Sequence, residues 1–149
     1  MIKFIYCLRR LPHLSREEFQ RYWWETHGPL VRSHTGTLRV RRYVQVHTLD
    51  SSINDALRES KGTLEPYDGV AELWWDSAED LVTAAASPEG QKAAQALLED
   101  ERRFIHLQRS AVWIGEEHPI VESQCRRGAT DRGFEDPVRL YEVRWLEDD

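Results

Sequence analysis

The order in which two hydrophobic periodicities alternate constrains this chain more than any single motif. Apolar and polar residues alternate with a period of two in four runs, at residues 2–10, 39–48, 67–75 and 106–115. Between the first and second runs, and between the third and fourth, apolar residues recur every three or four positions, which is typical of helices. The predicted order is therefore β-α-β-β-α-β. Two βαβ halves of this kind form a ferredoxin-like α+β sandwich with both helices on one face of the sheet.

The first helix has unusually complete start signals. Ser15 and Glu18 form a capping box, which predicts that the helix begins directly after Ser15. Gly28 and Pro29 are predicted to close or bend the helix at their position, because Pro lacks a backbone N–H and Gly favours helix ends. One inward-facing stripe is expected at steps of three or four residues, formed by Phe19, Trp23, His27 and Leu30.

The face of the sheet that the two helices leave bare is expected to need a cover. Trp74 and Trp113 make this face strongly apolar, and an apolar patch of that size marks an interaction surface. A second copy of the same chain is the simplest cover. The sequence therefore predicts a homodimer that packs sheet to sheet.

Charge and composition exclude several classes of partner. The 149 residues include 20 Lys and Arg against 26 Asp and Glu, a net charge of −6 that argues against a general nucleic-acid binder. No apolar stretch approaches the ~20 residues needed to span a bilayer, and the first residues do not have the pattern of a signal peptide. We therefore expect no membrane partner and a cytoplasmic location.

The cysteines and histidines do not predict a metal or haem site. Cys7 and Cys125 are too few for a disulfide framework or a CxxC zinc site. The six histidines share no metal-ligand spacing such as HxxxH on one helix face. No glycine-rich phosphate-binding loop is present either. We expect the protein to work with no metal and no cofactor.

The C-terminal segment differs in composition from the rest of the chain. Residues 1–121 make the predicted domain, whereas residues 122–149 make an arm that is rich in Arg, Gly and Asp up to Asp136. A further strand is predicted near residues 138–146. A strand on a tether needs a sheet edge to pair with, which is the edge of its own sheet or of a partner's.

Four separated segments carry a resemblance to a known family. Residues 9–30 read RRLPHLSREEFQRYWWETHGPL, and this segment resembles the start of EthD-domain proteins, a branch of the dimeric α/β-barrel superfamily. The later segments RYVQ at 42–45, YDGVAELWWD at 67–76 and ASPEG at 86–90 match in the same order. The resemblance covers residues 1 to about 121. It implies a ferredoxin-like monomer whose sheet packs against that of a second monomer to form a barrel.

The resemblance implies a small-molecule function without choosing the reaction. Related branches include muconolactone isomerases, polyketide cyclases and quinone-forming monooxygenases, many of which use no cofactor. The first hypothesis is a cofactor-independent enzyme that transfers protons in an isomerisation, cyclisation or elimination of an aromatic, polyketide-like or lactone substrate. The second is an oxidoreductase, either a cofactor-free oxygenase or an accessory to an ether-degrading P450 system. The third is a non-catalytic binder of a small hydrophobic or aromatic molecule.

His27 is the first candidate catalytic residue. It matches the histidine of the family's first helix, and the isomerase branch has a proton-handling histidine at this place. Its position near a helix C-terminus predicts a raised pKa, because the helix dipole favours the imidazolium. A histidine that titrates near neutrality can act as general acid or base. The alternative is a structural histidine whose ring N–H is bound by a backbone carbonyl.

Tyr43 is the second candidate, and aromatic neighbours complete the predicted pocket. Tyr43 matches a tyrosine on the second strand of the isomerase branch, and its hydroxyl could donate a hydrogen bond to an oxygen that gains charge. The alternative is an ordinary strand aromatic with a solvated tip. The predicted substrate-binding wall, whose members could equally be plain core residues, consists of Tyr6, Trp23, Leu73, Trp75 and Phe104.

Overall fold

A computed structural model describes residues 1–122 of the chain, and the sheet within them has four antiparallel strands. The strands are β1 (Ile2–Leu8), β2 (Arg42–His47), β3 (Gly69–Trp75) and β4 (Ala111–Gly115). They lie in the order β2-β3-β1-β4. This confirms the predicted α+β, ferredoxin-like β-α-β-β-α-β fold. The C-terminal arm and its predicted strand near residues 138–146 lie outside the described residues.

The helices are more numerous than the two that the sequence pattern required. They are α1 (Arg16–Tyr22), a π-helical turn (Trp23–His27), α2 (Gly28–Leu38), α3 (Ser52–Lys61), α4 (Ala78–Ala86), α5 (Pro88–Glu101) and a short 3₁₀ turn (Leu107–Arg109). In the part of the chain described here, no helix has both the length and the apolar character needed to cross a membrane. The Ser51 hydroxyl accepts a hydrogen bond from the backbone N–H of Ile53 and caps the first turn of the ten-residue helix α3.

The predicted start of the first helix is confirmed. The Ser15 hydroxyl accepts a hydrogen bond from the backbone N–H of Glu18 at 3.0 Å, and the Glu18 carboxylate accepts one from the backbone N–H of Ser15 at 3.1 Å. These two bonds satisfy donors that a helix start otherwise leaves unpaired. The capping box therefore fixes where the first helix begins.

Of the two outcomes predicted for Gly28 and Pro29, closure or bending of the helix, closure is wrong. The helical chain continues through the π-helical turn into α2 and ends only at Arg39, which has a left-handed φ of 60°. Pro29 has no N–H to donate to the Glu25 carbonyl four residues earlier, and the turn widens at this point. The N–H of Gly28 instead donates to the Trp23 carbonyl five residues earlier.

The wider turn also changes which residues face the core. A four-residue step overshoots one α-helical turn by about 40°, so a strict four-residue repeat drifts around the helix. The extra residue in the π-helical turn offsets this drift. The buried stripe consists of Phe19, Trp23, His27 and Val31, whereas Leu30 is only partly buried.

The main core lies between the sheet and the helix α1. Its buried members are Leu8, Phe19, Trp23, Ala71, Phe104 and Ile105. The Trp23 ring fills the space above Gly69, where a Cβ atom would lie 2.4 Å from the ring. A side chain at position 69 would therefore displace Trp23, and glycine is required there by close packing.

The opposite face of the sheet carries the two tryptophans that the sequence placed there. Trp113 lies opposite Ile5 in the β1–β4 ladder and is 49% exposed. The Trp74 ring is covered by the ammonium of Lys3, 4.8 Å from the ring centroid, and by the guanidinium of Arg42 at 4.6 Å. We call the surface formed by Ile5, Val44, Trp74 and Trp113 the outer face.

Candidate functional site

His27 lies at the end of the π-helical turn, and its ring is bound by a carboxylate. The ring Nδ1 is 2.8 Å from Oδ2 of Asp100, on α5. The other oxygen of Asp100 accepts a hydrogen bond from the Tyr22 hydroxyl at 2.5 Å. Both the His27 and the Asp100 side chains are less than 10% exposed. The sequence does not show this pairing, because 73 residues separate the two partners.

Burial sets the pKa of His27, and the predicted upward shift is wrong. The prediction placed His27 at a helix end, but the helical chain continues for eleven residues beyond it. Burial lowers the pKa of the imidazole below its usual value, and the interaction with Asp100 opposes this shift only in part. The neutral imidazole is therefore favoured near pH 7. Its Nδ1–H donates to Asp100, which leaves Nε2 as the basic nitrogen.

Tyr43 lies on the helix-facing side of β2 and is held by a chain of hydrogen bonds. The Gln45 amide nitrogen donates to the Tyr43 hydroxyl oxygen at 2.8 Å and to the Trp23 carbonyl at 3.0 Å. The Gln45 carbonyl oxygen is 2.8 Å from Nε2 of His47. The His47 ring stacks on the Trp23 ring with centroids 4.8 Å apart. Burial raises the pKa of Tyr43, so the phenol is neutral near pH 7.

A cleft of about 630 Å³ lies beside Tyr43. It reaches the helical chain at Gly28, the residue that follows His27, and it includes the edge strand β2. Trp24, which is 65% exposed, lies at its rim. The remaining lining residues are Glu25, Pro29, Arg32, Thr35, Val40, Arg41, Arg42 and Gln45. We call this volume the Tyr43 cleft.

Tyr6 lies on β1 and faces a second carboxyl group, that of Glu101. The Tyr6 hydroxyl lies close enough to the Glu101 carboxyl for each group to affect the pKa of the other. Burial, followed by the nearby charge of Asp100, raises the pKa of Glu101 to about 7. The same burial, with the Glu101 charge, raises the pKa of Tyr6. The sequence did not mark Glu101 as a candidate site residue, because its neighbours Tyr6 and Tyr43 lie on strands far away in the chain.

The other residues of the predicted substrate wall lie in or against the core. Trp23 is 1% exposed and Phe104 is 0% exposed. The Trp75 indole N–H donates to the Leu38 carbonyl at 2.7 Å, and Leu73 packs partly buried against the core. The structure thus brings these side chains to the same side of the sheet as Tyr6 and Tyr43. Their contact with a substrate stays a prediction.

A second cleft is lined mostly by charged residues. Its volume is about 620 Å³, and Arg9, Arg16, Asp68 and Arg109 are among the residues that line it. Asp68 is 3% exposed and accepts hydrogen bonds from Arg10 and Arg16. These partners hold the pKa of the Asp68 carboxyl below its usual value. Within residues 1–122, no group of three or more His, Cys, Asp or Glu side chains is arranged to hold a metal ion.

Comparison with protein families decides the family of this chain. The family model described as the EthD domain matches residues 11–108, which is well over half of the sequence. The chain belongs to the EthD family. The match ends before β4, so the family model covers α1, the π-helical turn and the two candidate residues His27 and Tyr43. A search among curated proteins gave no significant match.

Solved structures similar to this EthD protein share its fold. An ethyl tert-butyl ether degradation (EthD) family protein from Bacillus halodurans is 24% identical, with a TM-score of 0.53 over 79% of this chain and 99% of its own. An EthD-like protein from Ralstonia eutropha is 18% identical, with a TM-score of 0.52 over 82% and 95%. A dimeric protein of ferredoxin-like fold from Bacteroides fragilis is 12% identical, with a TM-score of 0.51 over 78% and 95%.

Proposed function

We propose that this EthD protein is a cofactor-independent enzyme that moves a proton next to the carbonyl group of an aromatic, polyketide-like or lactone substrate. The observation that carries the proposal is the buried His27–Asp100 pair, with Nδ1 and Oδ2 2.8 Å apart. An imidazole held by a carboxylate in one tautomer is the arrangement that makes a general base in many enzymes. His27 is the proposed base, and Nε2 is its reacting atom.

Tyr43 is the proposed donor to the oxygen that gains charge. The Trp23 carbonyl can only accept, so the Gln45 group that binds it must be the amide NH₂. The same NH₂ therefore donates its second hydrogen to the Tyr43 oxygen, 2.8 Å away. With that oxygen occupied as an acceptor, the Tyr43 hydroxyl hydrogen remains to be donated. A donor of fixed direction in a partly buried site stabilises a developing oxyanion.

The proposed step places the substrate carbonyl in the Tyr43 cleft. His27 removes a proton from the carbon next to the carbonyl, and the electrons of that C–H bond form a C=C bond. The carbonyl electron pair moves to the oxygen, which accepts a hydrogen bond from Tyr43. The result is an enolate-like species. Return of the proton to another carbon completes an isomerisation, attack of the enolate carbon on a second carbonyl group of the substrate completes a cyclisation, and departure of a leaving group from the β carbon completes an elimination. The Tyr43 cleft has the volume that small aromatic ligands need.

Proton exchange in D₂O tests this proposal without knowledge of the natural substrate. The probe is 2-tetralone, an aromatic ketone whose α-protons exchange for deuterium when a base removes them, which ¹H NMR follows. We expect the protein to accelerate this exchange. His27→Gln should lower the exchange rate by ~10²–10⁴-fold, which is the usual contribution of a general base. Exposed His13 provides the matched control, because His13→Gln should leave the rate unchanged.

Three results would contradict the proposed reaction. Equal exchange rates in the wild type and His27→Gln would leave His27 as a structural residue only. Oxygen uptake with a hydroxyaromatic probe, in the absence of proton exchange, would instead indicate that the protein is an oxidoreductase. Binding of aromatic probes without any turnover would indicate a non-catalytic binder.

We also propose that two copies of the chain pair through the outer face. Trp113 on one edge strand is half exposed, and Val46 on the other edge strand of the same face is 46% exposed, so this face carries apolar side chains without cover among residues 1–122. We expect light scattering to give the mass of a dimer for the wild type and of a monomer for Trp113→Glu. Trp24→Glu changes a tryptophan on the helix side and should leave the dimer intact. A monomeric wild type at working concentration would overturn the proposal.

A further inference from the structure

Two adjacent tryptophans in the π-helical turn face in different directions. Successive residues of a helix lie about 100° apart around its axis, so the two side chains cannot both face the core. Trp23 is 1% exposed and packs in the core, whereas Trp24 is 65% exposed. An exposed indole offers a large flat surface that other ring systems can contact. The proposed reaction gives Trp24 no role.

Trp24 lies between two cavities. It lines the Tyr43 cleft and also a neighbouring cavity of about 610 Å³, which His47 lines as well. Gln45 is a second residue that lines both of them. Because the two cavities share these side chains, one ligand can occupy part of each. We call the neighbouring cavity the His47 cavity.

Two aromatic rings meet almost at a right angle in the His47 cavity. The ring centroids of Trp24 and His47 are 6.1 Å apart, and the ring planes are inclined by 79°. The His47 ring stacks on the buried Trp23 ring, with 13° between the two planes. Its Nε2 is held 2.8 Å from the carbonyl oxygen of Gln45. These contacts fix the His47 ring, and we call the arrangement of Trp24 and His47 the aromatic corner.

The charged side chains that line the His47 cavity are already paired. Arg21 donates a hydrogen bond to Glu17 at 2.7 Å, and Asp50 accepts one from Arg16 at 2.7 Å. An ionic ligand would have to compete with these pairs. The aromatic corner instead offers ring surface, which an uncharged planar ring can contact face to face on one side and edge to face on the other.

The aromatic corner is close to the proposed oxyanion donor. Tyr43, Gln45 and His47 lie on the same side of β2, because side chains alternate along a strand. One amide group connects them, since Gln45 binds the Tyr43 hydroxyl through its NH₂ and His47 through its carbonyl oxygen. A molecule whose carbonyl oxygen is bound at Tyr43 can therefore reach the aromatic corner with a fused ring.

We propose that Trp24 and His47 form a ring-binding subsite, in which the aromatic ring of the substrate packs while its carbonyl group is bound at Tyr43. This inference rests on the proposed function and narrows its substrate class. The substrate is an uncharged ketone or lactone that carries a planar aromatic ring fused to the ring with the carbonyl group. Trp24 is then a specificity-determining residue, which favours aromatic over saturated substrates.

The first test compares two ketones in the D₂O exchange experiment. 2-Tetralone has a fused aromatic ring, whereas cyclohexanone has a ring ketone without it. Trp24→Leu should raise KM for 2-tetralone ~10-fold with little change in kcat, because a lost ring contact weakens binding without touching the reacting atoms. The kcat/KM for cyclohexanone should not change. Val82→Ala is the control, since Val82 is 62% exposed on α4 and should affect neither ketone.

Two results of this comparison would overturn the subsite. One is an unchanged KM for 2-tetralone in Trp24→Leu. The other is an equal loss for both ketones, which would show that the substitution disturbs the reaction centre and not the binding of the ring.

A pair of variants separates the ring of His47 from its hydrogen bond. His47→Phe keeps a flat ring at this position and His47→Leu does not, whereas both lose the bond to Gln45. The KM for 2-tetralone should therefore rise more in His47→Leu than in His47→Phe. Equal KM values in the two variants would contradict the role of His47 as a wall of the subsite.

A binding experiment locates the aromatic ring without turnover. The indole N–H resonance of Trp24 is identified in a ¹⁵N–¹H spectrum as the one that is missing in Trp24→Leu. Saturation with 2-naphthol, an uncharged aromatic probe, should shift this resonance, because a ring packed against the indole changes its magnetic shielding. The resonance missing in Trp113→Glu belongs to the outer face and should not move. A Trp24 resonance that stays in place would overturn the subsite and leave the exposed indole for contact with another protein chain.

These experiments separate failure of this inference from failure of the proposed function. Without any 2-tetralone exchange by the wild type, the proposed reaction fails, but a Trp24 resonance that responds to 2-naphthol still supports a ring-binding subsite. Exchange that depends on His27 but not on Trp24 overturns this inference alone.

Discussion

Replacing Asp100 by leucine is expected to disable the proposed base almost as completely as replacing His27 itself. Leucine has the same branching at Cγ, with methyl groups in place of the oxygens, but cannot accept a hydrogen bond, so the His27 Nδ1–H loses the partner that fixes the ring tautomer. The 2-tetralone exchange rate should fall by ~10²–10³-fold. Because Asp100 also raises the His27 pKa, the acidic limb of any remaining activity should move to lower pH.

The same substitution is expected to destabilise the fold. It leaves the buried Nδ1–H of His27 and the Tyr22 hydroxyl without their acceptor. Leaving buried donors unpaired costs ~1–3 kcal/mol each, so urea denaturation should show a loss on the order of 3 kcal/mol. Tyr22→Phe is the matched control, since it removes one of the two bonds and should cost about 1 kcal/mol without abolishing exchange.

A double variant decides whether Asp100 and His27 act as one unit. Residues that act together are non-additive, so adding Asp100→Leu to His27→Gln should lower the exchange rate little further. Fully additive losses would mean that Asp100 acts on the reaction by a route that does not pass through His27. An unchanged exchange rate in Asp100→Leu would contradict the proposal that an imidazole held by Asp100 is the base of the reaction.

Local sequence signals were sufficient to predict the order of helices and strands, and to predict which residues of a strand lie on the same side of the sheet. The Ser15–Glu18 capping box fixes the start of the first helix because both bonds form within four residues. Alternation along β2 predicts that Tyr43 and Gln45 lie on the same side of the strand, and the hydrogen bond between their side chains confirms it. Each of these inferences depends on neighbours in the chain, which the sequence displays directly.

The environment of the candidate site could not be predicted in the same way. Asp100 and Glu101 are adjacent in sequence, but their roles depend on contacts with the first helix and with β1, which lie far away in the chain. The sign of the His27 pKa shift was missed because Pro29, which commonly ends helices, is accommodated here by the π-helical turn. Whether such a proline ends a helix depends on the packing on both sides of it.

Glu101→Gln is expected to stabilise the protein above neutral pH. Burial raises the pKa of Glu101 to about 7 in the folded protein, against 4.5 for an unperturbed glutamate. A difference of this size corresponds to about 3 kcal/mol between the two protonation states. Between these pH values the folded state holds a proton that the unfolded state has lost, so the wild type loses stability as pH rises. Because glutamine does not titrate, the free energy of unfolding of the variant does not fall in this way as the pH rises.

Urea denaturation at several pH values measures the effect. The contribution of the protonated Glu101 is fully present below about pH 4.5 and is lost as the pH rises through about 7. The variant should therefore gain on the order of 3 kcal/mol over the wild type between pH 4.5 and pH 8. His27 titrates in both proteins and cancels in this difference, and exposed Glu99→Gln should show no such trend. A difference that stays constant with pH would show that Glu101 ionises as freely in the folded protein as in the unfolded chain, and that burial does not raise its pKa.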